Sequence, residues 1–215
     1  MVPNVPGSVS TVPPILLGSA GAKQSLRMRI RAERRERPRV QRLADAEAFA
    51  AVVLETPEVQ VARCVALYAS VSGEPGTEPL RSALRRAGVL VLLPVPLPGS
   101  VLDWAEDTGE LVPGTGPGGS TPTGPRLGVE ALRHADAVIV PALAVDTLGQ
   151  RLGQGGGYYD RALPLVSTSV PVLAMVHEGE LLDAAVEPVP TEGHDVGVDA
   201  VVTPRRCLRL PPRHL

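Results

Sequence analysis

Short apolar runs alternate along this 215-residue chain with stretches whose apolar positions recur at helical spacing, and that alternation predicts its elements. Runs at 64–69 (CVALYA), 89–93, 137–143 (AVIVPAL), 170–176 and 200–203 are nearly continuous, as strands covered on both faces are. Helical spacing predicts helices over 23–37, 42–54 and 78–87, with shorter ones at 131–134, 159–166 and 181–185. Pro38 stops the first helix, and Gly88 is placed to cap the third. On the first helix Leu26, Ile30 and Met28 make only a thin apolar stripe among arginines, and a solvated basic face is the simplest account of that charge run. Three stretches follow neither period. Residues 1–22 read as a flexible extension, 96–125 as an irregular loop ending in PGTGPGGSTPTGP, and 205–215 as a loose tail.

Strands alternating with helices predict right-handed parallel crossovers, hence a single α/β domain over 23–204. The expected architecture is a three-layer α/β/α sandwich with a mainly parallel sheet. In such folds ligands sit beyond the carboxyl ends of the strands. The loops there carry Glu74, Trp104, the segment 151–161 and His177.

Composition narrows the function. A net charge of −2 gives no overall case for nucleic acid, and one Phe, one Trp and three Tyr give few stacking platforms for single strands. Cys64 and Cys207 match no metal or redox spacing, which fits a reducing compartment. No apolar stretch reaches membrane-spanning length, and no leader pattern opens the chain. The expectation is a cytoplasmic monomer with neither membrane nor nucleic acid as partner.

The densest chemistry is at 151–161, RLGQGGGYYDR, which holds four glycines, two adjacent tyrosines, one aspartate and two arginines. It lies between the 137–143 strand and a helix start, the layout in which backbone N–H groups converge on phosphate. Glycine lets the backbone approach the anion and adopt positive φ. No GK[ST] follows, so this is not a Walker loop. The spacing is not that of a dinucleotide fold, and no acid follows at ribose-binding distance, which argues against a dehydrogenase. Arg151 and Arg161 offer donor forks for phosphate oxygens. Asp160 is placed either as a magnesium ligand or as a favourable charge in a first helical turn.

The whole string closely resembles the signature of the 5-formyltetrahydrofolate cyclo-ligase (methenyltetrahydrofolate synthetase) family, in which a strand ending in proline precedes RLG-x-G-x-G-YYD. Residues 140–150 (VPALAVDTLGQ) fit the same pattern. KQSLR (23–27) looks like the family's K-x-x-L-R, EPGT (74–77) like its E-x-x-T, and HDVGVDAVVT (194–203) like its closing hD-x-x-vD segment. The matches run in order across 23–203.

The resemblance implies an α/β sandwich that cyclises 5-formyltetrahydrofolate to 5,10-methenyltetrahydrofolate, with ATP as co-substrate and Mg2+ as cofactor. The formyl oxygen would attack the γ-phosphate, the neighbouring folate nitrogen would close the ring, and phosphate would leave. By this likeness Lys23 and Arg151 are the catalytic cations. ATP is expected on Lys23, Gln24, Ser25, Leu26 and Arg27, and on Arg151, Leu152, Gly153, Gln154, Gly155, Gly156, Gly157, Tyr158 and Tyr159. Glu74, Trp104 and Tyr158 are expected against the folate, and Asp160 and Asp195 on the metal. One tyrosine of the pair lines a site while the other belongs to the core; Trp104 either covers the pterin or anchors packing; Asp195 either binds metal or caps a turn. His177 and His194 receive no role.

One segment departs from the family pattern. Where relatives carry G-x-F-G-(I/L)-x-E-P, this chain has GTGPGGSTPTGP, without aromatic or glutamate. That departure and the basic helix leave an alternative: a non-catalytic nucleotide- or RNA-binding protein on the same fold.

Overall fold

The computed structural model describes residues 18–114 and 119–213. In chain order the elements are α1 (Ser19–Arg35), α2 (Arg39–Leu54), α3 (Pro57–Gln60), β1 (Cys64–Ala66), α4 (Glu78–Arg86), β2 (Leu90–Leu97), β3 (Val101–Glu106), β4 (Leu111–Pro113), β5 (Ser120–Pro122), β6 (Ala137–Pro141), β7 (Ala144–Asp146), β8 (Arg151–Leu152), α5 (Tyr158–Ala162), β9 (Val172–Met175), β10 (Leu181–Leu182), β11 (Ala200–Val202) and β12 (Cys207–Arg209). Short 3-10 turns occupy Val129–His134, Leu163–Leu165 and Glu178–Glu180.

The main sheet runs β12-β11-β9-β6-β1-β2-β3. Its five inner strands are parallel, and only the edges β3 and β12 run antiparallel. The period-2 alternation of a strand divides its side chains between two cores. Val65, Ala137, Ile139, Leu173 and Met175 face Phe49, Val53, Leu80 and Leu84 of α2 and α4. Ala66, Val138, Val140, Val172 and Ala174 face Trp104, Leu132, Leu163 and Val166. Both faces are covered, which is the three-layer arrangement the strand–helix alternation predicts. None of the helices among the described residues is long and apolar enough to cross a membrane.

A third cluster positions the site. Leu26 and Ile30 of α1 pack on Leu143, Ala144, Leu152 and Leu182, which belong to or border the small sheet β10-β7-β8. The thin apolar stripe of α1 is therefore a docking edge. At the helix's far end Arg34 is buried, with Nε 2.7 Å from Glu180 Oε1 and Nη2 2.7 Å from both Glu180 Oε2 and the Ala142 carbonyl. The basic helix is thus fixed in place by one face, and solvates only the others.

Several expectations are corrected. Helix α1 begins at Ser19, inside the span read as a flexible extension; residues 1–17 lie outside the described residues. The stretch read as an irregular loop holds regular structure on both sides of residues 115–118: β2 runs on to Leu97 and turns back as β3. Pro94 and Pro96 suggest a break because they lack a donor, but the ladder with β1 ends at Leu92, so no bond is missing on that side. Residues 115–118 of the Gly/Pro-rich stretch lie outside the described residues, and its flanks form the β4–β5 hairpin. Residues 181–185 begin as a strand rather than a helix, because β7 supplies a parallel partner for Leu181 and Leu182. The tail is held by β12 on β11 and by Arg213, which bonds Asp199 and the Val170 carbonyl; residues 214–215 lie outside the described residues.

Candidate active site

A cavity of about 360 Å³ opens beyond the carboxyl ends of β1, β2 and β6. Five separate segments build it. Helix α1 contributes Lys23 and Arg27; the loop after β1 gives Tyr68, Val71 and Glu74; Pro94, Pro96 and Leu102 come from the β2–β3 hairpin. Residues 151–160 form the floor, and Glu192, His194 and Asp195 close the rim.

The periodicity of α1 decides which of its residues reach this space. Lys23 and Arg27 are four apart and share the cavity face. Leu26 turns to the third core cluster, and Gln24 and Ser25 are exposed and outside the wall. Of the five residues of this segment expected on ATP, only Lys23 and Arg27 line the cavity.

Lys23 is almost fully buried, with its Nζ 3.0 Å from Glu192 Oε2 and 2.5 Å from Asp195 Oδ2. Burial disfavours the charged Asp195, but the Lys23 ammonium and the Glu192 N–H hold its carboxyl below the usual range. Glu192 is lowered as well, first by its bond from Lys23 and then by Ser19. Arg151 is buried and places Nη2 2.6 Å from Asp160 Oδ1, while its Nε has no partner among the described residues. That Nε is fully buried, whereas the Arg151 side chain as a whole borders the cavity floor.

The glycine loop leaves β8 and enters α5. It does not follow β6 directly, because the β7–β8 hairpin intervenes and turns the chain back over the sheet. Gly157 at the α5 N-terminus has φ +67, and Gly155 has φ +102 beside the Arg27 guanidinium. Both need the freedom only glycine has. Among the described residues, no backbone N–H from 153 to 157 donates to a protein carbonyl. Arg27 Nε holds the Gly153 carbonyl at 3.0 Å, and Arg31 clasps Gln154 through both its side chain and its carbonyl. The result is a loop gripped by its carbonyls and side chain, with its N–H groups unused.

Glu74 borders both the glycine loop and the apolar wall. Its Oε2 accepts the Val71 N–H at 3.1 Å, and Oε1 accepts Gln154 Nε2 at 3.3 Å. Burial raises its carboxyl above the ordinary range, against those hydrogen bonds. Tyr158 and Tyr159 both line the cavity. The Tyr159 hydroxyl is buried with no partner among the described residues, and burial, with Glu74 nearby, pushes the phenol far up, so it remains a neutral donor.

Trp104 is corrected. It is fully buried in the core among Leu102, Leu132 and Val138, and does not line the cavity. Trp104 and Leu102 share one face of β3; Leu102, near the start of the strand, reaches the cavity, while Trp104, two residues further on, stays in the core. Pro94, Pro96, Leu102 and Tyr68 escape a reading by motif, because apolar wall residues have no chemical signature. Glu192 carried a usable signal, two positions from the His194–Asp195 pair.

Oδ2 of Asp160 and Oδ1 of Asp195 accept no hydrogen bond among the described residues. The ligand atoms that lie within 4.8 Å of one another belong to Glu192, His194 and Asp195, and Asp160 is not in that group.

These features define an α/β domain with a polyanion-sized cavity: cations and unused N–H groups on one side, an apolar wall on the other. The sequence model of the 5-formyltetrahydrofolate cyclo-ligase family matches residues 19–204, and the chain belongs to that family. A 5-formyltetrahydrofolate cyclo-ligase of Mycolicibacterium smegmatis is 38% identical over 200 residues, which cover 87% of this chain and 96% of that protein. The Escherichia coli K12 cyclo-ligase is 36% identical over 159 residues, 70% of this chain and 82% of its own. Among solved structures, the Aquifex aeolicus 5,10-methenyltetrahydrofolate synthetase superposes with a TM-score of 0.73 at 27% identity, covering 90% of this chain and 95% of that one.

Proposed function

We propose that this cyclo-ligase family member converts 5-formyltetrahydrofolate and ATP to 5,10-methenyltetrahydrofolate, ADP and phosphate, inside the cavity just described. The observation that carries the reading is the convergence of Lys23, Arg27 and Arg151 with the unused N–H groups of residues 153–157, opposite an apolar wall and Glu74.

The reaction asks for placement and charge neutralisation. The formyl oxygen is a weak nucleophile, so the γ-phosphoryl group must be held and made receptive. Arg151 suits this: it borders the cavity floor, and its Nη2 is fixed by Asp160. Lys23 supplies a second charge, held in place by Glu192 and Asp195. The loop N–H groups take the remaining phosphate oxygens. Asp160 and Asp195 would hold Mg2+, which when bound neutralises part of the phosphate charge.

On the other side Glu74 accepts hydrogen bonds from the pterin edge. Its raised carboxyl reflects burial that the bound ring would share. Pro94, Pro96 and Leu102 offer a flat apolar surface and keep water from the phosphorylated formyl intermediate. The neighbouring folate nitrogen then closes the ring, and the former formyl oxygen leaves on phosphate.

Absorbance of methenyltetrahydrofolate tests the reading. Product is expected only when 5-formyltetrahydrofolate, ATP and magnesium are all present. ATP binding without product would instead favour a nucleotide-binding role.

A further inference from the structure

Gln154 is the only residue with a side chain between Gly153 and Gly157, and that side chain leaves the glycine loop for two other segments. Toward α1, its Oε1 lies 3.2 Å from Arg31 Nε and 2.9 Å from Arg31 Nη2, and Nη2 also holds the Gln154 carbonyl at 2.9 Å. Toward the loop after β1, its Nε2 donates to Glu74 Oε1 at 3.3 Å. An amide serves both partners, because one end accepts from the guanidinium while the other donates to the carboxylate. A charged group in its place would repel one of the two.

The other oxygen of Glu74 accepts the Val71 N–H, which belongs to the same loop as Glu74 itself. Among the described residues, Gln154 is thus the one hydrogen-bond partner the Glu74 side chain has in another segment. Burial raises the Glu74 carboxyl, and the Val71 N–H, the Arg34 charge and the Gln154 amide oppose it. Gln154 and Glu74 both line the main cavity, whereas Arg31 does not.

The proposed nucleotide and folate sites therefore meet at one side chain. A triphosphate on the N–H groups of residues 153–157 fixes the backbone of a loop in which Gly155 and Gly157 have φ +102 and +67. With that backbone fixed, the Gln154 amide stays where it meets Glu74. A pterin held by Glu74 fixes the same contact from the other end. Each ligand orders part of what the other requires, and linkage makes the effect equal in both directions.

We propose that Gln154 is a positioning residue that couples the two sides of the cavity, so that nucleotide and folate each bind more tightly when the other is present. The inference rests on the cyclo-ligase reading and goes beyond it, since two substrates can be placed side by side without communicating.

Equilibrium binding tests it without turnover. 5-Formyltetrahydrofolate and a non-hydrolysable ATP analogue with magnesium are each titrated with and without a saturating amount of the other. In wild type each should lower the Kd of the other by about fivefold. Gln154→Ala should bring that ratio to about one. Arg31→Met, which removes the brace on Gln154 without altering the wall of the main cavity, should lower the ratio as well. The double variant should lose no more coupling than Gln154→Ala alone, because the two residues act through one contact. If Gln154 only shaped the loop, Gln154→Ala would weaken binding of the ATP analogue and leave the ratio unchanged. That result, or two ligands that bind wild type without coupling, would overturn the inference and leave the cyclo-ligase reading standing. Failure of either ligand to bind wild type would sink that reading and this inference together.

Discussion

The two sides of the main cavity are made in different ways. On the cationic side each group is fixed by a named partner: Lys23 by Glu192 and Asp195, Arg151 by Asp160, Arg27 by the Gly153 carbonyl. On the apolar side Tyr68, Pro94, Pro96 and Leu102 are placed by where strands end and how far β2 outruns β1. The first side depends on particular residue types, so it tolerates little change. The second depends on shape, and hydrophobic substitutes of similar size serve there.

That contrast predicts a ranking of substitutions. Arg151→Ala should have the largest effect, since it removes a buried donor and leaves Asp160 without its cation. We expect kcat/KM for ATP to fall about a thousandfold, with weaker ATP affinity by calorimetry. Unchanged ATP affinity would remove Arg151 from the nucleotide side. Lys23→Met should lower kcat by about a hundredfold, because two carboxylates then face the cavity without their ammonium.

Glu74→Gln separates the sides. It should raise KM for 5-formyltetrahydrofolate about tenfold while KM for ATP stays within about twofold. Equal effects on both would mean that Glu74 acts only by bracing Gln154 in the glycine loop.

The acid side of the pH profile sharpens the same contrast. Asp195 and Glu192 are lowered in the folded protein, so their pairing with Lys23 adds stability above the ordinary carboxylate values and loses it as pH falls through the folded ones. Thermal midpoints of wild type and Lys23→Met should therefore differ at neutral pH and converge below about pH 4. A gap that persists in acid would show that the lysine's hydrocarbon stem, rather than its charge, holds α1 to the rim.

The smallest effect should come from Trp104→Phe. Among the described residues the buried indole N–H has no partner, so stability should fall by only about 1 kcal/mol in denaturant titration and folate KM should not move. A rise in folate KM would return Trp104 to the cavity wall.

What could be read from the sequence follows the same division. The cationic side was legible because RLGQGGGYYD, Lys23, Arg27, Glu74 and Asp195 are residue types whose spacing carries chemistry. The central strands were legible because burial on both faces leaves a continuous apolar run. Helix docking was not: Leu26 and Ile30 look like a meagre stripe until the small β10-β7-β8 sheet meets them, and that sheet is made of strands too short to show a period. The β2–β3 hairpin was obscured by Pro94 and Pro96, whose local preference is overruled by the place where β1 stops. Trp104 illustrates the limit most plainly: it shares a face of β3 with the cavity-lining Leu102, and only its place along the strand puts it in the core.

The central claim is that the formyl oxygen is phosphorylated within this cavity. It is tested most directly by a single turnover of substrate labelled with 18O in the formyl group. The account predicts that the label leaves on inorganic phosphate. Unlabelled phosphate, with 18O released to water, would contradict it.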